Sequence, residues 1–180
     1  MDAKKNTIVV ALSKLRNLSS LNVSGTEFNR TSLEMIMDDL PMLENLDISN
    51  TKVRDISSLL KAKNRLKSLS IAELKLAPCG GSPSEHIEIL AQLENLRHLD
   101  ISDKIDNQND LFETTIPNAK LRLSDFLEHC NCVKALPKLV SLDISGNLYL
   151  FSNLFIQKAA HLSICFVIYG LTFIPIQVEN

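Results

Sequence analysis

The chain has 180 residues, a mass of 20.1 kDa and a formal net charge of −2, which suits one domain with its own core. The pI near 6.1 gives no electrostatic case for nucleic-acid binding, which needs a basic stripe to neutralise phosphates. Leucine occurs 30 times, whereas aromatic residues make up only 5% and tryptophan is absent. This composition predicts a core of repeated aliphatic layers.

The first 14 residues form a lead-in or a partial first repeat. Their apolar run, from Ile8 to Leu12, is too short for the hydrophobic region of a signal peptide. We therefore expect a cytoplasmic or nuclear protein.

Five copies of the pattern Leu-x-x-Leu-x-Val/Ile occur between residues 15 and 146. They begin at Leu18, Leu43, Leu66, Leu96 and Leu139. Their second leucines are 25, 23, 30 and 43 residues apart. The first two spacings suit one repeat of about 20–29 residues, and the longer ones indicate insertions near residues 76–83 and 104–122. Five such copies predict a leucine-rich-repeat domain.

The turn after each strand is marked in this repeat by an asparagine, which bonds the turn backbone. Thr26 and Thr51 stand at that position in the first two copies and can make the same bond. Leu74 and Lys104 cannot, so irregular turns are expected there, whereas Asn147 keeps the consensus residue.

Helical segments are predicted between the strands. Residues Thr31 to Glu34 have the spacing of a capping box at a helix start. Apolar residues then recur on one helix face, at Leu33, Ile36, Met37 and Leu40. Three further starts are predicted at Asp55, at Ser84 and at Ser124. Alternating strands and helices predict an α/β leucine-rich-repeat solenoid, with a curved parallel sheet on the concave face and helices on the convex face.

The concave face of this solenoid is the candidate binding site. Strand side chains alternate, so the residues flanking the buried leucines face the concave side. These residues are small, polar and mildly acidic, and they include no aromatic anchor of the kind found in binding hot spots. The candidate protein-binding face comprises Asn45, Asp47, Ser70, His98, Asp100, Ser141 and Asp143. A face that is merely hydrated is the alternative.

Catalytic, metal and cofactor sites are not predicted. The sequence has no P-loop, no G-x-S-x-G and no H-E-x-x-H motif. His98 near Asp100 forms a polar pair without a nucleophile. Cys130 and Cys132 would point about 200° apart on a helix, which makes them a poor metal-ligand pair. We therefore predict a non-catalytic protein without a cofactor.

Residues 147–180 form an apolar tail in which only Lys158 and Glu179 carry charge. Its segment 159–178 approaches the roughly 20 apolar residues of a membrane-spanning helix, although it contains Gly170 and Pro175. The tail either covers the end of the core, is poorly folded, or spans a membrane.

Four stretches of the chain resemble the leucine-rich region of the zyg-eleven homologue family. They are residues 33–53, 55–71, 86–104 and 136–146, and they match in particular residues as well as in the repeat consensus. The resemblance covers about residues 15–146. It implies the substrate-recognition subunit of a cullin-two RING ubiquitin ligase, with elongin B and elongin C as partners. The family's elongin-binding VHL box is not found here, and the likeness is expected to end at Gly146, as in a truncated form.

An extracellular or membrane-anchored leucine-rich-repeat protein is the alternative function. Three N-x-S/T sequons, at Asn17, Asn22 and Asn29, favour it. The short N-terminal apolar run and the lack of cysteine-rich end caps oppose it, and a glycan on Asn22 would lie in the sheet.

Overall fold

Each copy of the repeat contributes one strand to a single sheet. The computed structural model describes residues 10–12, 14–76, 85–102, 136–143 and 145, and the backbone of two further strands. The five repeats form β1 (Ser20–Asn22), β2 (Asn45–Asp47), β3 (Ser68–Ser70), β4 (His98–Asp100) and β5 (Ser141–Asp143). Neighbours in sequence are neighbours in the sheet, and these strands are all parallel. The predicted fold class is confirmed.

The strand register places the central leucines side by side. Leu46 pairs with Leu21 on one side and with Leu69 on the other, and Leu99 pairs with Leu142. All five central leucines are buried, with at most 9% of each exposed. β4 and β5 pair directly although 43 residues separate Leu99 from Leu142, so the intervening insertion does not interrupt the sheet.

The residue three positions after each of the first three strands has a positive φ. Gly25, Asn50 and Glu73 have φ values of 67°, 50° and 57°. Their backbone N–H groups donate to the carbonyls of Ser49, Ala72 and Ser102, each at 2.9 Å. The left-handed residue therefore continues the hydrogen bonding between repeats while the chain turns away from the sheet.

Hydroxyl groups bond the same turns, as predicted. Thr26 Oγ1 donates to the carbonyl of Val23 at 2.7 Å, and Thr51 Oγ1 donates to that of Ile48 at 2.7 Å. In the third repeat the backbone N–H of Leu74 reaches the carbonyl of Ile71 at 3.4 Å instead.

The first helix, α1 (Arg30–Asp39), begins two residues before the position that the capping-box pattern predicts. Asn29 is the N-cap, and its side chain accepts from the N–H of Ser32 at 3.1 Å. The predicted cap at Thr31 is therefore wrong, because Asn29 already satisfies the free N–H groups of the first turn. The predicted inward residues are confirmed: all four are buried, with no more than 2% of each exposed.

The next two helical segments are short. A 3₁₀ helix spans Ser57–Ala62, with Leu59 buried against the core, and α2 spans Glu85–Ala91, with Ile87 and Leu90 buried. Ala91 is half-buried. The predicted helix beginning at Ser124 lies outside the described residues.

Asp55 stabilises the start of the 3₁₀ helix. Its Oδ1 accepts from the N–H of Ser57 at 2.8 Å, and its Oδ2 lies 3.2 Å from Arg30 Nε. Burial acts to raise the pKa of the Asp55 carboxyl, but the Ser57 hydrogen bonds and the charges of Arg30 and His86 outweigh it, so the pKa is lowered. The ionised carboxylate therefore stabilises the fold above its ordinary pKa of 3.8, and this contribution is lost as the pH falls through the lowered value.

Arg65 ties two helical segments together. Its guanidinium donates to the carbonyl of Met37 at 2.6 Å, near the end of α1, and to that of Lys61 at 2.9 Å in the 3₁₀ helix. Burial lowers the pKa of Arg65, and nearby Asp38 opposes that shift. The side chain satisfies carbonyls that helix ends leave free.

The tail adds two strands to the sheet. β6 (Cys165–Ile168) pairs parallel with β5, and β7 (Leu171–Phe173) pairs antiparallel with β6. Two stretches of the segment considered as a membrane span are thus strands. Among the described residues, no helix combines the length and apolarity needed to cross a membrane.

Leu46→Asp tests the core register. The substitution places a carboxylate at a position that is 3% exposed, where no cation lies in the layer of central leucines. We expect loss of cooperative thermal unfolding in circular dichroism, because an unpaired buried charge costs several kcal/mol. Asn45→Asp, one residue earlier on the open side of the sheet, is the control and should shift the melting temperature little. A mild effect of Leu46→Asp would contradict the register.

Gly25→Ala tests the left-handed turn. An added Cβ at Gly25 meets nothing within 4 Å, so any cost is that of the backbone conformation. We expect a loss of about 1 kcal/mol in the free energy of unfolding, measured by urea denaturation. Gly25→Asn is the control, because Asn50 adopts this conformation in the next repeat. Equal losses in both variants would show that backbone conformation is not the cause.

Candidate functional site

Three columns of side chains cover the concave side of the sheet. The first column is the first residue of each strand: Ser20, Asn45, Ser68, His98 and Ser141. The second column is the third residue of each strand: Asn22, Asp47, Ser70, Asp100 and Asp143. The third column lies two residues further on: Ser24, Ser49, Ala72, Ser102 and Ser145. All are exposed or half-buried except Ala72, as the alternation of the strands predicts.

The second column closes the turns that follow the strands. Asp47 Oδ1 accepts from the N–H of Ser49 at 3.0 Å, and Asp100 Oδ1 accepts from that of Ser102 at 2.9 Å. Asn22 and Asp143 make the same bond two residues ahead, each at 2.9 Å. One oxygen of each of these side chains therefore serves the fold.

The second oxygens of Asp47 and Asp100 accept hydrogen bonds from the preceding repeat. Asn22 Nδ2 donates to Asp47 Oδ2 at 2.9 Å, and Ser70 Oγ donates to Asp100 Oδ2 at 2.7 Å. Ser70 lacks the turn bond of its column, so its hydroxyl is available to the neighbouring carboxylate. The column is thus a polar network that crosses the strands.

Ser49 extends this network and was not among the predicted site residues. Its Oγ lies 2.6 Å from Ser70 Oγ. The single Ser70 proton is donated to Asp100, so Ser49 donates to Ser70 and keeps only acceptor capacity. The register alone does not indicate this contact, because it pairs Ser70 with Asp47 and Ser49 lies two residues further along the chain.

The first column contains a serine–histidine pair. His98 Nδ1 lies 2.7 Å from Ser141 Oγ, across β4 and β5. Nucleophilic catalysis would need a third group orienting the other ring nitrogen. No carboxylate is hydrogen-bonded to that nitrogen within the described part of the chain, and His98 is exposed to water. The pair fits a binding surface better than a reactive one.

Charged residues border the first column on the side away from the carboxylates. Glu44, Lys67 and Arg97 occupy the position before β2, β3 and β4, whereas Ser19 precedes β1 and Val140 precedes β5. Lys67 Nζ lies 2.7 Å from Glu44 Oε1, and Val140 is 51% exposed. The positive charges of this rim therefore lie about one strand length from the carboxylates of the second column.

The seven predicted site residues therefore lie on one continuous surface, in the first two columns. Within the described residues, no group of three or more histidine, cysteine or acidic side chains is placed to hold a metal ion. Cys130 and Cys132 lie outside those residues.

Comparison with known proteins gives a family for this arrangement. A family model described as Zer-1-like leucine-rich repeats matches residues 34–171. The chain is also 31% identical over 118 residues to the proteins named "Protein zer-1 homolog" from Homo sapiens and from Pongo abelii. The matched segment is 66% of this chain but only 13% of each relative. The family match continues past Gly146, so the expectation that the likeness ends there is wrong.

Asp100→Ala tests the role of the second column in the turns. The variant removes the acceptors of both the Ser102 N–H and the Ser70 hydroxyl, and we expect it to lower the free energy of unfolding by about 1–2 kcal/mol. Asp100→Asn keeps the amide oxygen for the turn, as Asn22 does in the first repeat, and should lose less than half as much. Chemical denaturation of both variants measures the difference, and equal losses would contradict the turn role.

Proposed function

We propose that this chain, which belongs to the family of Zer-1-like leucine-rich repeats and thus to the zyg-eleven homologues, is a protein-interaction module that receives a partner on its concave face. The observation that carries this proposal is the unbroken polar surface of the first two columns. Five strands in one register present side chains that no other described element covers. Such a surface suits an extended or convex protein segment.

A binding role is supported by the chemistry of the same residues. The hydrogen bonds of the second column are spent on turns and on neighbouring repeats, so the surface is rigid before a partner arrives. Preorganisation of this kind lowers the entropic cost of association. The exposed His98–Ser141 pair adds adaptable hydrogen-bonding groups and no reactive centre. We infer a non-catalytic role.

The finer proposal follows from the family. We propose that the chain is the leucine-rich part of a substrate-recognition subunit of a cullin-two RING ubiquitin ligase, acting in ubiquitin-dependent protein degradation in the cytoplasm or nucleus. Elongin B, elongin C and cullin-two are the proposed assembly partners. The matched relatives are much longer than this segment. We assign the concave face to substrate recognition and the assembly contacts to other faces of this chain.

The extracellular alternative depends on the sequons, and two of the three asparagines have structural roles. Asn22 Nδ2 donates to Asp47, and the Asn29 side chain caps α1. A glycan attached to Asn22 Nδ2 would stand on the concave face and obstruct the surface that the proposal uses. Asn17 is exposed and lies outside the concave columns, so a glycan there would not obstruct that surface.

Co-precipitation tests the ligase assignment. The tagged chain, expressed in cells, should recover elongin C and cullin-two, whereas the Leu46→Asp variant should recover neither, because its sheet does not form. Absence of both proteins from the wild-type precipitate would contradict the ligase assignment and leave an interaction module outside that complex. A glycosidase-sensitive mass shift of the expressed chain would instead favour the extracellular alternative.

A further inference from the structure

The concave columns carry charge of one sign. Asp47, Asp100 and Asp143 contribute three carboxylates, and the columns contain no lysine or arginine within the described residues. The nearest cationic side chains, Lys67 and Arg97, stand on the rim before the first column, and Lys67 is already paired with Glu44. The middle of the sheet therefore has an unbalanced negative potential facing any bound segment.

The hydrogen bonds also determine which polar groups remain for a partner. The protons of Ser49 and Ser70 are both used inside the network, and the turn N–H groups are used by the carboxylates. The carboxylate oxygens and Ser49 Oγ can accept further bonds, because each oxygen has more than one lone pair. The second column thus offers acceptors almost exclusively, and a partner must supply donors.

Strand spacing determines where those donors must lie. Neighbouring strands are about 4.8 Å apart, so Asp47 on β2 and Asp100 on β4 are separated by about 10 Å. The midpoint between Asp100 and Asp143 lies half a strand spacing further, about 12 Å from Asp47. An extended peptide advances about 3.3 Å per residue and its side chains alternate between two faces, so residues four apart share a face and span about 13 Å. Asp100 and Asp143 are direct neighbours in the register, close enough for one planar guanidinium to contact both.

We propose that the second column binds an extended basic segment of a partner protein, with two arginine or lysine side chains four residues apart. The segment crosses the strands, with one cation at Asp47 and the other between Asp100 and Asp143. The inference rests on the proposed protein-interaction function and adds the chemistry of the partner to it. The rim cation Arg97 orients the segment, because it repels basic side chains from the other edge of the sheet.

Peptide binding tests this proposal. The probes are fluorescent, end-blocked Gly/Ser peptides that carry two arginines at separations of one to five residues, measured by fluorescence anisotropy with the full chain. We expect the tightest binding at a separation of four, and binding about tenfold weaker when citrulline replaces both arginines. Raising the salt concentration should reduce the difference, because exposed charges are screened.

Matched variants locate the site. Asp100→Asn combined with Asp143→Asn removes two charges while keeping the amide oxygens of the turns, and it should abolish the preference for arginine over citrulline. Glu34→Gln combined with Glu88→Gln removes the same charge from exposed helix positions and should leave that preference unchanged. Circular dichroism melting of both doubles verifies that they are folded.

Three results would overturn the inference: equal binding of arginine and citrulline peptides, tighter binding of glutamate peptides, or equal losses in the two double variants. The co-precipitation experiment separates this failure from failure of the proposed function. Recovery of elongin C and cullin-two together with no arginine preference would refute the basic-segment inference alone. An arginine preference without that recovery would refute the ligase assignment alone.

Discussion

The alignment of one buried leucine per strand is the constraint on which the rest of the structure depends. Each of the five repeat strands, β1 to β5, has only three residues, too few to hold a sheet through its own hydrogen bonds. Burying a leucine side chain contributes about 1.5–3 kcal/mol, and every central leucine packs beside the equivalent leucine of its neighbours. Because side chains alternate along a strand, this inward leucine also dictates which residues face outward. The core and the concave face are therefore two results of one register.

The turns convert that register into a curved stack. A side-chain oxygen two residues before the turn and a left-handed residue within it recur in successive repeats, as at Asp47 and Asn50. The repeated Asp-Ile-Ser segments follow from this geometry, since the aspartate accepts the serine N–H while the isoleucine is buried. In Asp47 and Asp100 one oxygen thus bonds the turn, and the other bonds the neighbouring repeat while keeping a lone pair for a partner. This dual use explains how a face of small side chains keeps a defined shape.

Much of the fold could be predicted from the sequence, because leucine spacing and strand alternation are local patterns. The five strands, the inward face of α1 and the site columns all follow from them. The cap at Asn29 was missed, because the Thr31–Glu34 pattern satisfies the same spacing rule and only the structure shows which residue bonds Ser32. β6 was missed because Cys165–Ile168 lacks the leucine pattern. The sequence could not predict that Ser49 donates to Ser70 and Ser70 to Asp100. These hydrogen bonds depend on distances between residues that are 21 and 30 positions apart in the chain.

The reversed strand β7 has a consequence for self-association. A stack of parallel strands presents at its edge the same ladder that its next repeat would use, which makes end-to-end polymerisation of chains a hazard. β7 runs antiparallel to β6 and is the last strand of the described sheet. A second molecule that approached this edge with a strand in the repeat direction would meet an antiparallel ladder, with differently spaced donors and acceptors. At this edge of the described sheet, a second copy could therefore not join in the parallel register that the repeats share.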